Sequence, residues 1–168
     1  VIMHQVAYIQ DKGFNLTTTT TLATTVAFFA MVSKIPWGIL AEKYNPTTLT
    51  SICAISAGLS LFLLIVGETL PVLYSYALLM GLTMGGFPTL INIVLPMYFG
   101  RDHMGAIRGV MVPITQGFGA ISPVIGGVVW DHLGSYDMAF VLFAGFWIIS
   151  GILMIISSKI NIISTNEF

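Results

Sequence analysis

Five stretches of the chain contain no Asp, Glu, Lys or Arg: residues 13–33, 44–66, 69–100, 109–130 and 138–158. Each is long enough for a helix of about 20 residues to cross a hydrocarbon core of roughly 30 Å. Inside lipid the backbone must satisfy its own hydrogen bonds, so each stretch is expected to be helical. The runs do not alternate polar with apolar residues, as the strands of a membrane barrel would. Composition points the same way. The chain is 56% hydrophobic and 8% charged, against about 25% charged in an ordinary soluble domain. That excludes a soluble enzyme, a disordered segment and a disulfide scaffold. Six Lys/Arg against seven Asp/Glu leave no basic surface for nucleic acid. The single cysteine, Cys53, can build neither a disulfide framework nor a cysteine metal site.

The gaps predict an all-α membrane protein with five full spans, at about residues 18–41, 47–66, 72–98, 104–130 and 137–158. Short connectors carry the charges and turn residues, which makes consecutive helices antiparallel neighbours. Val1 to Gln10 is apolar and aromatic but too short to span. It reads as the last turns of a helix that starts before residue 1, and the 168 residues as a fragment of a longer protein. Lys43, Arg101, Arg108 and Lys159 fall on one side and Lys12 alone on the other. By the positive-inside rule the first side, with the tail 159–168, is expected to be cytoplasmic. The expected location is the plasma (inner) membrane.

At about 100° per residue, three spans divide into a small-residue face and a bulky face. In the first, Thr20, Ala23, Ala27, Ala30, Lys34, Gly38 and Ala41 oppose Leu22, Phe28, Phe29, Val32, Ile35 and Ile39. In the third, Ala77, Gly81, Gly85, Pro88 and Asn92 share a face with Tyr74 and Pro96. In the fourth, Gly105, Gly109, Pro113, Gln116, Ala120, Pro123 and Gly127 oppose Ile107, Ile114, Phe118, Ile121 and Ile125. Small faces mark close helix contact or a cavity, and bulky faces are expected to meet lipid. The second and fifth spans lack such a division and are expected to be peripheral. The Thr17–Thr21 run is expected to start a helix, its hydroxyls meeting free N–H groups.

Several segments, taken in order, carry a resemblance. GILAEKYNPTTL (Gly38–Leu49) resembles the G-x-L-A-D-r-x-G loop of the major facilitator superfamily. MYFGRDHMGAIRG (Met97–Gly109) and SPVIGGVVWDHLGSYDMAF (Ser122–Phe140) are similar to the tenth-to-twelfth-helix region of its monocarboxylate and oxalate-type transporters. VIMHQVAYIQDKGF, at the start, resembles the outer end of their seventh helix. The resemblance implies the C-terminal six-helix bundle of a twelve-helix fold, its first helix truncated. The N-terminal six-helix half of the same protein is implied as a partner that is missing from this sequence. It also implies that MVSKIPWG (Met31–Gly38) is the eighth-helix stretch in which monocarboxylate transporters carry an Arg, here Lys34. Their Asp one turn earlier is here Ala30. Glu42 replaces the loop's usual Asp, Asn45 its Gly, and Arg108 stands where the family more often has an aromatic or apolar residue.

Lys34 is the leading site candidate. It lies seven residues inside Ala41, about 10 Å of depth at 1.5 Å per residue. A lone ammonium there costs roughly 2.5–3.5 kcal/mol on insertion scales. Pairing a substrate carboxylate would offset that; snorkelling to the interface along its own stem is the other account. His4 and Tyr8 are one turn apart and could meet ligand, with Gln5 a weaker candidate. Asn92 and Gln116 are amides on small faces that could bond a substrate oxygen or a neighbouring helix. Glu42, Arg101 and Arg108, with Lys43 and Asp102 beside them, are expected to form cytoplasmic gating contacts. His103 and His132 lack partners at metal spacing, so neither a metal nor a cofactor is expected.

These readings combine into a secondary transporter of a small organic anion, a mono- or dicarboxylate, working by alternating access. Transport across the lipid bilayer would be coupled to a proton or exchanged for a counter-anion. The alternative is a drug or sugar facilitator of the same fold in which Lys34 is structural. A membrane-embedded enzyme fits less well, because every Asp and Glu lies in a loop or at a span end.

Overall fold

The computed structural model describes residues 2–165, with side chains over residues 5–157. Among these residues it is all helix and turn: α1 (Ile2–Asp11), α2 (Leu16–Val32), α3 (Lys34–Lys43), α4 (Pro46–Val66), α5 (Leu70–Phe99), α6 (Met104–Leu133) and α7 (Asp137–Thr165). Five segments are long and apolar enough to cross a membrane: Leu16–Lys43, Pro46–Val66, Leu70–Phe99, Met104–Leu133 and Asp137–Ser157. They fall on the five charge-free stretches.

The first of these spans is two helices. Pro36 has no N–H to give the Val32 carbonyl, and its ring crowds the turn before it. The helix therefore breaks at Ser33. The bonding resumes at once, with Ser33 N–H donating to Phe29 O at 2.9 Å and Trp37 N–H to Ser33 O at 3.1 Å. Asn15 starts α2: its side chain accepts the Thr18 N–H at 2.8 Å. The threonines do something other than the capping expected of them. Thr19, Thr20, Thr21, Thr24 and Thr25 each turn a hydroxyl back to the carbonyl four residues earlier, at 2.8–2.9 Å. Past the first turn the N–H groups are already donated within the helix, and the i−4 carbonyl is what a threonine hydroxyl can reach. Asn45 caps α4 in the same manner as Asn15, with Pro46 in the first turn. Gly134 closes α6 at φ 66°, a left-handed position that costs a glycine little.

The packing follows the small residues. α5 runs between α2 and α4, and α4 between α5 and α7. A Cβ on Gly81 would lie 2.7 Å from Val26 O, and one on Gly85 only 2.1 Å from Ala30 O. Those two glycines let the backbones of α2 and α5 touch, as the small face of α5 predicts. Between α4 and α7, Gly58 sits against Ile148 and the Ala144 carbonyl, and Gly151 against Ile55. Without a hydrophobic driving force in lipid, this close van der Waals contact is what holds helices together.

Three expectations are corrected here. α4 is not peripheral: twelve of its residues are buried, from Pro46 to Leu64. Its serines, alanines and glycine are the small residues of a central seam, which a search for polar stripes does not register. Leu22 faces the interior at 1% exposure, because α2 presents Thr19, Leu22 and Val26 to its neighbours rather than its alanines. On α6 the small-residue stripe is not seated on a neighbour. Gly105, Gly109, Pro113, Gln116 and Ala120 are as exposed as Ile114, Phe118, Ile121 and Ile125 opposite them. α6 is held near its ends, where Trp130 stacks on Tyr136 at 4.6 Å and Arg108 reaches Asn92 on α5.

Candidate functional site

Antiparallel helices place most of the chain's charged groups at two ends of the bundle, and a cavity opens at each. At the first end Tyr8, Asp11, Lys12, Glu68, Trp130 and Asp137 line a cavity of about 850 Å³. Lys12 is the cation there. Its Nζ donates to the carbonyls of Leu64 at 2.9 Å, Ile65 at 2.5 Å and Gly67 at 3.2 Å. These are carbonyls at and just past the end of α4, where the helix has no backbone donors left and its dipole is negative. The same ammonium lies 4.9 Å from the centre of the Tyr8 ring. Burial holds the Lys12 pKa below its ordinary value, opposed by the nearby carboxylates of Asp137 and Glu68.

Tyr8 is buried, and its hydroxyl donates to Asp137. Its ring meets Phe140 edge-on at 4.8 Å. One turn earlier Gln5 accepts a hydrogen bond from the Tyr76 hydroxyl at 2.6 Å. Tyr8 and Gln5, singled out as ligand contacts, are thus engaged with α7 and α5. The side chain of His4 lies outside the described residues. Lys12 and Asp137 were read from the sequence only as loop charges. A lysine just before a glycine loop has no local signature of a cap for a helix fifty residues further on.

At the other end Asn92, Ile93, Pro96, Met97 and Arg101 line a cavity of about 560 Å³. Arg108 Nη2 donates to Asn92 Oδ1 at 2.9 Å, which brings an expected substrate amide and an expected gating residue together. Glu42, at the end of α3, is exposed and bonds neither Arg101 nor Arg108 among the described residues. Lys34 is the first residue of α3, directly after the break at Ser33, and is exposed. Ser33 and Trp37 on either side of it face α5: Trp37 Nε1 donates to the Leu82 carbonyl at 2.9 Å. Gln116 is exposed on α6. Neither Lys34 nor Gln116 has a hydrogen-bond partner among the described residues. No group of His, Cys, Asp and Glu that could hold a metal ion occurs among them.

Five segments long and apolar enough to cross a membrane mark an integral membrane protein. The sequence profile of the Major Facilitator Superfamily matches residues 1–160, and the chain belongs to that family. Its members are membrane transporters that bind small-molecule substrates, not enzymes. No curated protein sequence matches the chain.

Proposed function

We propose that this transporter carries a small organic anion, a mono- or dicarboxylate, and that Lys34 holds the carboxylate. One observation carries the reading. An ammonium about 10 Å inside a span is exposed rather than packed, on a helix that begins where the previous one breaks. A charge at that depth is costly in lipid and far less so on a water-filled path. Asn92 and Gln116 would add hydrogen bonds, and His4 with Tyr8 would act nearer the Lys12 end. Glu42, Arg101 and Arg108 would gate the opposite end.

On this reading the 168 residues are the C-terminal bundle, the tail after residue 158 is cytoplasmic and the membrane is the plasma membrane. A second six-helix half supplies the facing wall, and a proton moves with the substrate or a counter-anion moves in exchange for it. Uptake by cells expressing the full-length protein tests the substrate class. Saturable uptake of radiolabelled mono- or dicarboxylates is expected. Uptake of a neutral sugar or a lipophilic cation in place of every carboxylate tried would overturn the reading.

A further inference from the structure

The hydrogen bond between Arg108 and Asn92 decides how the amide is turned. A guanidinium has donors and no acceptor, so the oxygen of Asn92 is the end that faces it. The remaining donors of Asn92 are its two amide hydrogens. Asn92 also lines the cavity at this end, and the other charged or amide side chain on that lining is Arg101. Asp102 follows Arg101 in sequence but is not part of the lining, and no carboxylate pairs with Arg101 or Arg108 among the described residues. Asn92 stands seven residues before the end of α5 and Arg108 four residues past the start of α6. At 1.5 Å per residue they lie about 10 and 6 Å inside their helices. Two helices thus bring donors, one of them a guanidinium, together at this end of the bundle. Arg108 finds an acceptor in Asn92 Oδ1, but no hydrogen-bond acceptor for Arg101 or for the amide hydrogens of Asn92 occurs among the described residues.

We propose that Asn92, Arg101 and Arg108 form an anion site for one oxyanionic group, a carboxylate or a phosphate, that does not depend on Lys34. The site goes beyond the Lys34 reading and stands if Lys34 binds nothing. Arg101 contacts the anion directly, Asn92 donates through its amide, and Arg108 positions Asn92 while adding charge. A transported solute at the mouth of the path and the headgroup of an anionic lipid both offer this chemistry.

Thermal unfolding of the purified full-length protein in a neutral detergent tests the site. The probes are sodium acetate and a short-chain phosphatidylglycerol, each against sodium chloride at matched ionic strength. At least one is expected to raise the Tm beyond chloride. The half-maximal concentration should rise about tenfold or more in Arg101→Gln and in Asn92→Leu. Arg101 is exposed in a loop, so its substitution leaves the fold intact even if Arg108→Gln does not. A response to acetate identifies a solute site, and a response to the phospholipid alone identifies a headgroup site. No response to either probe, or an unaltered response in Arg101→Gln, would overturn the proposal.

Discussion

The ammonium of Lys12 donates to the carbonyl oxygen of Ile65 at 2.5 Å, across more than fifty residues of chain. With Leu64 and Gly67 taking its other hydrogens, one side chain from the α1–α2 connector closes the exposed end of α4. The contact joins the α1–α2 connector to α4, the helix with the most buried residues, and Tyr8 extends it to Asp137 on α7.

Lys12→Met should therefore destabilise the protein. Hydrogen bonds to a charged group contribute about 1.5–3 kcal/mol, and the methionine keeps the stem while leaving three carbonyls without their donor. A lower Tm in detergent is expected, with Lys12→Arg intermediate. An unchanged Tm in Lys12→Met would show that water replaces the ammonium without loss.

The contact of α2 with α5 predicts a sharp difference between two glycines. Gly85→Ala places a Cβ 2.1 Å from the Ala30 carbonyl and 2.2 Å from Ser33 Oγ. Neither helix backbone can yield cheaply, so a loss at or above the usual 1–3 kcal/mol for overpacking, roughly, is expected. Gly117→Ala on α6 meets nothing within 4 Å and should be neutral or gain up to about 1 kcal/mol of helix propensity. Tm and the yield of monodisperse protein read both.

If Lys34 holds the substrate carboxylate, Lys34→Ala should weaken binding by roughly ten- to hundred-fold, from a charge-assisted bond of about 1.5–3 kcal/mol. Lys34→Arg should keep part of the affinity, since the charge remains but the planar guanidinium needs a different approach. Substrate dissociation constants on surface-normalised protein distinguish this from a snorkelling lysine, whose loss lowers yield and leaves affinity alone.

Orientation is open to chemical labelling. With four of five loop cations on the side of the tail, Ser135→Cys should react with an impermeant thiol reagent outside intact cells and Ser164→Cys should not. A Cys53→Ala background removes the native thiol, which is fully buried and bonded to the Thr83 carbonyl at 3.3 Å. External labelling of Ser164→Cys would reverse the assignment.

Depth in lipid was legible in the sequence, because a charge inside a hydrocarbon core costs too much to be placed casually. Four of the five uncharged stretches therefore mark their spans within about five residues, while the first span runs ten residues past its stretch, through Lys34 to Lys43. Gly81 and Gly85 were legible as a contact face, since glycine on a membrane helix invites a neighbour's backbone. Rotation of each helix about its axis was another matter. Leu22 turns inward, α4 takes the centre and the stripe of α6 stays uncovered, because each outcome depends on which neighbour arrives and at what angle. The long-range polar pairs are also tertiary. Lys12 finds the end of α4, Tyr8 finds Asp137 and Arg108 turns the amide of Asn92. Each needs residues from separate helices within about 3 Å, a condition set by the packed bundle rather than by spacing along the chain.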